Sequence, residues 1–228
     1  MDVPPLVTGL WLVALVSLVA GGWRLHRSVT RHRRTDWGAG WMNWLDGFNR
    51  LFCERYHRLA PVRLPLPPEG PAVLVANHVS GLDPLVLIAA ADRPLRFLIA
   101  REQYFRFGFQ WLFRAVGCIP VDRTGRPERA LREAYAALRA GEVVAIFPHG
   151  RIHLPDDPPR RPKGGAARLA LAIGCPLVPA IITGVSGVGR VVGAVFLRSR
   201  VEIALLPVVD PEGEDFESLM EKLEKMLV

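Results

Sequence analysis

A histidine and an aspartate stand close together in the polar segment NHVSGLDP, residues 77–84, which lies between two apolar runs. An imidazole changes its protonation state near neutral pH, and a carboxylate that binds one ring nitrogen fixes the tautomer, so that the other nitrogen can accept a proton. His78 and Asp83 therefore match a general base and its orienting carboxylate. Because Asp83 follows Ser80 and precedes Pro84, the same residues also match an ordinary helix N-cap, and the spacing alone leaves both interpretations open.

The sequence supplies no enzyme nucleophile beside this pair. The segment GVSGV, residues 184–188, lacks the final glycine of the G-x-S-x-G motif. Nothing in the sequence marks the thiol of Cys118 as activated, and we expect a buried structural cysteine there. The hydroxyl to be activated would then belong to the substrate, which predicts a direct transfer without a covalent enzyme intermediate.

Three cationic side chains farther along the chain could form an anion site. Arg123 ends the segment GCIPVDR, Arg151 ends FPHGR, and Lys163 precedes two glycines that open a predicted helix. Sites of α/β proteins lie at the carboxyl ends of strands, and small residues at a helix start let backbone amides approach an anion. The three cations could converge on a phosphate, although each taken alone is an ordinary solvated surface charge.

A metal site is the other chemistry that this region suggests. His149 and His153 are four residues apart, with Asp156 and Asp157 nearby. On a helix that spacing would suit zinc, but Gly150 and the surrounding prolines predict a loop. We therefore expect no bound metal.

Composition narrows the class of partner. The chain has 228 residues, a net charge of +7, 50% hydrophobic residues and a mean hydropathy of +0.20. The charge implies an anionic partner, and the apolar excess suggests that some surface faces lipid. No nucleic-acid-binding module is visible, so we expect no nucleic acid. The three cysteines lie far apart and lack a C-x-x-C pair, so the sequence indicates neither a zinc ribbon nor a disulfide framework.

The segment beyond Pro71 alternates short apolar runs with helical patterns, which is typical of a sheet covered by helices. We predict an α/β fold with a mixed or mostly parallel sheet. The predicted strands are Ala72–Ala76, Leu95–Ala100, Gly117–Val121, Val143–Phe147 and Leu177–Ile182, with one or two more in Val195–Val208. The predicted helices are Asp83–Ala91, Glu102–Val116, Arg126–Ala140, Gly164–Ile173 and Phe216–Leu227.

The N-terminal segment predicts a membrane anchor. Leu6 to Trp23 is apolar and uncharged, and it is about long enough to span a bilayer or to insert deeply as a helix. Five arginines follow it within residues 24–34, so the positive-inside rule places the rest of the chain in the cytoplasm. A cleaved signal peptide is the alternative, but its basic residues would precede the apolar run.

A second helix is predicted from Trp37 to Leu59, with an aromatic stripe at three- and four-residue steps. Aromatic rings of this kind favour the headgroup boundary, so the helix would lie on the membrane; an ordinary core-packed helix is the alternative. A proline-rich link follows, and we place the domain boundary there. Residues 1–60 would be membrane-anchoring helices and residues 61–228 a single catalytic domain.

Taken in order, these motifs resemble those of the bacterial lysophosphatidic acid acyltransferases, the 1-acylglycerol-3-phosphate O-acyltransferase family, over about residues 71–182. The N-H-x-x-x-x-D block of that family matches Asn77, His78 and Asp83. The resemblance implies His78 as the base for an acceptor hydroxyl and Asp83 as its orienting carboxylate. Oxyanion stabilisation would come from backbone amides near Asn77 and Gly150, or from Arg101.

Further blocks of the family follow in the same order. The V-D-R block ends at Arg123, whose counterpart is a phosphate ligand, and Arg101 stands where the family has a lysine near the thioester. The F-P-E-G block is met by Phe147, Pro148 and Gly150, and the late V-P block by Val178 and Pro179.

One departure concerns the acceptor. His149 replaces the usual glutamate and Arg151 replaces a threonine or serine, so a hydrogen-bond-accepting carboxylate is lost and positive charge rises. His149, Gly150, Arg151 and Lys163 are expected to bind substrate together with Arg123. This departure bears on the identity of the acceptor more than on the reaction.

The resemblance implies an acyltransferase that uses acyl-CoA or acyl carrier protein as the donor, a lysophospholipid as the acceptor and no cofactor. The foremost acceptor is 1-acyl-glycerol-3-phosphate, giving phosphatidic acid. The expected location is the bacterial inner membrane, in contact with membrane lipids, with the catalytic domain on its cytoplasmic face. The alternatives are the same chemistry on another lysolipid or an amine-bearing lipid, and a non-catalytic membrane-binding protein.

Overall fold

The computed structural model describes residues 5–106, 108–123, 125, 127–154, 156–158 and 160–227. Within them the helices are α1 (Pro5–His32), α2 (Gly40–Arg55), α3 (Asp83–Ala90), α4 (Arg101–Tyr104), α5 (Gln110–Ala115), α6 (Pro127–Arg139), α7 (Gly165–Ile173), α8 (Gly193–Phe196) and α9 (Phe216–Leu227). The strands are β1 (Ala72–Ala76), β2 (Leu95–Ala100), β3 (Ile119–Val121), β4 (Val143–Ile146), β5 (Leu177–Thr183) and β6 (Glu202–Leu205).

The strands form one sheet in the order β3-β2-β4-β1-β5-β6. Every neighbouring pair is parallel except β5 and β6, which pair antiparallel. Central strand β1 is buried along its whole length, because helices cover both faces of the sheet. The chain visits the β4 side of β1 first and the β5 side last, so the strand order reverses at β1. Ligands of α/β sheets bind at such a switch point, beyond the carboxyl ends of the strands.

Each face of the sheet has its own core. Leu74 belongs to the cluster that contains α3, whereas the adjacent Val73 belongs to the cluster that contains α6, α7 and α9. This alternation follows from the two-residue period of a strand. The predicted α/β class with a mostly parallel sheet is confirmed, and the bounds of β1, β2 and α9 agree with the prediction.

The prediction differs from the structure in the region that follows β2. The single helix predicted over Glu102–Val116 is instead the pair α4 and α5. Gly108 lies between them with a φ of 87°, a left-handed conformation that interrupts an α-helix. Of the one or two strands predicted within Val195–Val208, one is present as β6, and the short helix α8, which was not predicted, ends at Phe196.

Helix α2 contains a buried ion pair whose arginine also binds the end of α3. The Arg50 side chain is fully buried, and its Nε donates to Asp46 Oδ2 at 2.8 Å. The same guanidinium donates to the carbonyl oxygens of Ala89 and Ala91 at the end of α3, at 2.6 and 2.5 Å, and to Thr35 Oγ1. A helix end offers unsatisfied carbonyls, which attract a cation. The arginine therefore fixes the carboxyl end of α3 against α2.

Helix α1 contains the predicted Leu6–Trp23 segment and continues to His32. Its large apolar side chains from Leu10 to Val19 are exposed, as are Trp23 and Leu25. No helix in the described part of the chain is both long and apolar enough to cross a bilayer. The spanning interpretation of α1 is thus unsupported, and shallower insertion and the domain boundary after residue 60 stay predictions.

Replacing Arg50 with methionine should lower the free energy of unfolding by about 3–5 kcal/mol, because Asp46 would remain buried without its cation. Urea unfolding measures the change. Arg63→Met is the control, since its ion pair with Asp92 is exposed and should contribute less than about 1 kcal/mol. Equal losses in the two variants would contradict a special role for the buried pair.

Candidate active site

The structure brings the predicted histidine and aspartate together at the carboxyl end of β1. His78 Nδ1 lies 2.8 Å from Asp83 Oδ2, and the Asp83 side chain is fully buried whereas that of His78 is 19% exposed. In the described part of the chain His78 Nε2 has no hydrogen-bond partner. A carboxylate acceptor holds the proton on Nδ1, so Nε2 is the nitrogen with a free lone pair.

The Asp83 carboxylate also organises the loop between β1 and α3. Its Oδ2 accepts from the backbone N–H groups of Val79 at 2.6 Å and Ser80 at 2.9 Å, and its Oδ1 accepts from Ser80 Oγ at 2.8 Å. The predicted N-cap was wrong, because the cap residue of α3 is Leu82 and no side chain caps the helix. Asp83 instead turns back towards the loop, so its charge is used to hold the segment that carries His78.

Asn77 joins β1 to β5. Its side-chain Nδ2 donates to the Ile182 carbonyl at 2.9 Å, and its Oδ1 accepts from the Ile182 N–H at 2.7 Å. These bonds continue the strand pairing one residue past β1 and hold His78 at the sheet edge. The side-chain amide is engaged in this structural contact, and an oxyanion role for Asn77 stays a prediction.

An aromatic ring one residue past β4 supports the imidazole. The His78 and Phe147 rings stack with centroids 4.1 Å apart and an interplanar angle of 15°, and Phe147 in turn stacks on Phe97. The backbone N–H of His153 donates to the His78 carbonyl at 2.8 Å. Stacking and the Asp83 bond together restrict the ring to one orientation.

Two of the three predicted phosphate-binding cations lie beside Gly150. Arg123 Nη1 donates to the Gly150 carbonyl at 2.6 Å, and its Nη2 forms an ion pair with Glu102. A Cβ added to Gly150 would lie 3.0 Å from Lys163 Nζ, so the ammonium group is next to the same residue. Arg151 is exposed. The predicted cations therefore lie around one glycine at the carboxyl ends of β3 and β4.

An open cleft of about 740 Å³ lies beside this cluster, and His78 is not among its lining residues. It is lined by Arg101, Glu102, Phe105, Asp122 and Arg123. Arg101 Nη1 lies 4.0 Å from Asp122 Oδ2. Arg101 thus lines the cleft together with Arg123, and the thioester contact that the resemblance implies for Arg101 stays a prediction.

His149 stacks on His153, with ring centroids 4.7 Å apart, and its Nε2 is 3.2 Å from the Arg160 carbonyl. Burial and the adjacent His153 lower the pKa of His149 from its ordinary value of 6.5, although the Arg160 carbonyl acts in the opposite direction. No group of three or more metal-ligating side chains was found among the described residues. The pKa of His149 therefore lies below its ordinary value, and a role for this residue in substrate binding stays a prediction.

Sequence reasoning missed three side chains that shape this site. Ser80 was considered only as a capping residue, and Phe147 and Glu102 were assigned no role. An aromatic residue at the end of the strand next to β1 is a signal for ring stacking. The contact between Glu102 and Arg123 had no sequence signal, because it depends on the pairing of β2 with β3.

The model of the acyltransferase family matches residues 60–183, more than half of the chain. This chain belongs to that family. It is 34% identical over 127 residues to a probable 1-acyl-sn-glycerol-3-phosphate acyltransferase of Mycoplasma genitalium, covering 53% of this chain and 47% of the relative. The resemblance inferred from the motifs is therefore confirmed.

Another relative carries a different name. An N-acylphosphatidylethanolamine synthase of Arabidopsis thaliana is 35% identical over 113 residues, which is 45% of this chain and 40% of that protein. The chain spans about half the length of the curated relatives that it matches. Among solved structures, the 1-acyl-sn-glycerophosphate acyltransferase PlsC of Thermotoga maritima aligns with a TM-score of 0.64 and 22% identity, over 95% of this chain and 89% of that one. This likeness supports the acyltransferase fold.

His149→Gln should reduce the loss of stability in acid. A histidine whose pKa is lowered by folding binds a proton more readily when unfolded, so its stabilising contribution is present above about pH 6.5 and lost as the pH falls below that value. Urea unfolding at about pH 7.5 and pH 5.5 measures the difference. Part of the acid sensitivity should remain, because burial also lowers the pKa of His57. An unchanged pH dependence in the variant would contradict this assignment.

Proposed function

We propose that this protein transfers a fatty acyl group from acyl-CoA or acyl carrier protein to the free hydroxyl of 1-acyl-glycerol-3-phosphate, forming phosphatidic acid. The observation that carries the proposal is the imidazole of His78, held by a buried carboxylate through Nδ1 while Nε2 has no protein partner in the described residues. Several relatives with the name 1-acyl-sn-glycerol-3-phosphate acyltransferase support it.

The proposed reaction proceeds without an enzyme-bound acyl group. His78 Nε2 accepts the proton of the acceptor hydroxyl as its oxygen attacks the thioester carbonyl carbon. The tetrahedral intermediate then collapses, the carbon–sulfur bond breaks, and the thiolate takes the proton from the imidazolium. Arg101, with backbone amides near Asn77 and Gly150, is the proposed stabiliser of the oxyanion. These steps need no cofactor or metal.

The acceptor phosphate is the proposed ligand of the cations around Gly150. A guanidinium binds phosphate with two parallel hydrogen bonds, and Arg123 is already oriented by Glu102 and the Gly150 carbonyl. Lys163 adds a second charge close by, and Arg151 is exposed on the same segment as Gly150. The phosphate would displace part of the protein's own ion pair when it binds.

The proposed location is the cytoplasmic face of the bacterial inner membrane. The exposed apolar residues of α1 and the arginines that follow support this placement. Residues 1–60 would hold the protein to the membrane, and residues 61–228 would carry out the reaction.

His78→Ala should lower the acyl-transfer rate by at least about 10²-fold, the usual scale for a general base. Asp83→Asn should also lower it, because an amide does not fix the imidazole tautomer as a carboxylate does. Acceptor-dependent thiol release from acyl-CoA measures the rate. Asp92→Asn is the matched control, since Asp92 is exposed just beyond α3. Near-normal turnover of folded His78→Ala would reject the base assignment.

Arg123→Gln should raise the KM for 1-acyl-glycerol-3-phosphate by about 10- to 100-fold, the cost of one or two charge-assisted hydrogen bonds. The KM for the acyl donor should change much less. Arg129→Gln is the control, because this arginine pairs with Glu133 on the exposed surface of α6. A larger effect on the donor than on the acceptor would move Arg123 from the phosphate site to the donor site.

A second candidate keeps the reaction and changes the acceptor to another lysolipid or an amine-bearing lipid. His149 stands where the family has a glutamate, and one relative is named N-acylphosphatidylethanolamine synthase. A panel of lysolipids and phosphatidylethanolamine, tested on the wild type and on His149→Glu, separates the two candidates. Under the second candidate, the wild type would prefer an acceptor other than 1-acyl-glycerol-3-phosphate and His149→Glu would shift the preference towards it.

A further inference from the structure

The loop between β5 and β6, residues 184–201, exposes an unusual amount of apolar surface. Phe196 is 70% exposed, more than most large apolar residues outside α1. The loop contains three arginines and no acidic residue. Its exposed large apolar side chains are Val188, Val191, Val192, Phe196 and Leu197, and its exposed arginines are Arg190, Arg198 and Arg200.

This loop is held in place by contacts on its inner side. Ala194 and Ser199 are buried, and Ser199 Oγ accepts from the Ser186 N–H at 2.9 Å. Tyr56 Oη donates to the Phe196 carbonyl at 2.6 Å, and His57 Nε2 lies 3.1 Å from the Val195 carbonyl. These contacts to the carbonyls of Val195 and Phe196 hold the backbone in place, and the Phe196 side chain is exposed to solvent.

The exposed side chains continue a row of aromatic rings on α2. Along that helix Trp44, Phe48, Phe52 and Tyr56 stack in sequence, with ring centroids 5.2 to 6.3 Å apart. Tyr56, the last of them, binds the backbone of Phe196. The row on α2 and the apolar part of the β5–β6 loop therefore form one continuous surface, although they are about 140 residues apart in sequence.

We propose that the β5–β6 loop docks on a phospholipid surface that contains anionic headgroups. Valine and phenylalanine side chains gain free energy when they leave water for the acyl-chain boundary, and arginines beside them bind anionic headgroups. The loop has both features and lacks the acidic residues that would be repelled. Lipid contact then extends beyond the N-terminal helices to the C-terminal half of the chain.

Docking through this loop would bring the histidine segment to the headgroups. The Gly189 N–H donates to the Val79 carbonyl at 2.8 Å, and the Gly81 N–H donates to the Arg190 carbonyl at 3.0 Å. A Cβ at Gly81 would overlap the Val191 carbonyl, so the two segments are in direct backbone contact. A lipid acceptor could therefore reach His78 from the leaflet on which the loop rests.

A fluorescent label on the loop tests the proposal in the full-length protein. The native cysteines are buried, and burial raises the thiol pKa of Cys53 and Cys118 to about 12 and of Cys175 to about 11. A polarity-sensitive maleimide should therefore react selectively with Phe196→Cys. Val208→Cys is the matched control, because its neighbour Val209 pairs with Leu177 at the opposite end of β5.

With vesicles of phosphatidylcholine and phosphatidylglycerol, the label at position 196 should shift its emission to the blue and be quenched by brominated acyl chains. The label at position 208 should show neither change. No change at position 196 while the protein sediments with vesicles would overturn the proposal, and so would a failure of the protein to bind vesicles. A blue shift that grows with protein concentration in the absence of lipid would identify a second copy of the chain as the occupant instead.

The arginines are tested separately. Arg198→Gln/Arg200→Gln should weaken binding to the anionic vesicles by about tenfold or more, because each arginine near an anionic membrane contributes several-fold to affinity. Arg129→Gln/Arg132→Gln removes the same charge from α6, on the opposite face of the sheet, and should have a smaller effect. Equal binding of the wild type to pure phosphatidylcholine would contradict the anionic part of the proposal. Neither experiment requires acyl transfer, so its outcome is independent of the proposed reaction.

Discussion

A buried carboxylate sets the geometry of the candidate active site. Taking a charged Asp83 out of water costs several kcal/mol unless hydrogen bonds replace the lost hydration. Four donors provide that replacement: the imidazole of His78, the N–H groups of Val79 and Ser80, and the Ser80 hydroxyl. Because these four donors belong to three consecutive residues of one loop, satisfying the charge determines the path of the loop and the orientation of the ring together.

The fold was largely predictable because its strands are buried on both faces. Such strands appear in sequence as short uninterrupted apolar runs, and this pattern located β1 and β2 with their observed bounds. The prediction of one continuous helix from Glu102 to Val116 was wrong, because apolar periodicity does not show where a glycine adopts a left-handed conformation. Gly108 has this conformation and divides the segment into two helices. The short helix α8 was not predicted, because four residues are too few to show a helical period.

The candidate site was predictable in its residues and less so in their contacts. The spacing of His78 and Asp83 suggested the hydrogen bond that the structure contains. The same spacing suggested an N-cap that is absent, because a carboxylate near a helix start can face either the helix amides or the loop amides. The stacking of Phe147 and the ion pair of Glu102 depend on the order of strands in the sheet, which no local pattern specifies.

Helix α3 is held at both ends by charged groups of opposite sign. Asp83 lies at its first residue, and the guanidinium of Arg50 binds the carbonyls of Ala89 and Ala91 at its last turn. Eight helical residues form a rod of roughly 12 Å that resists compression and bending. Because α3 is bonded at its last turn to α2 and at its first residue to the loop that carries His78, its length fixes the distance between α2 and the imidazole.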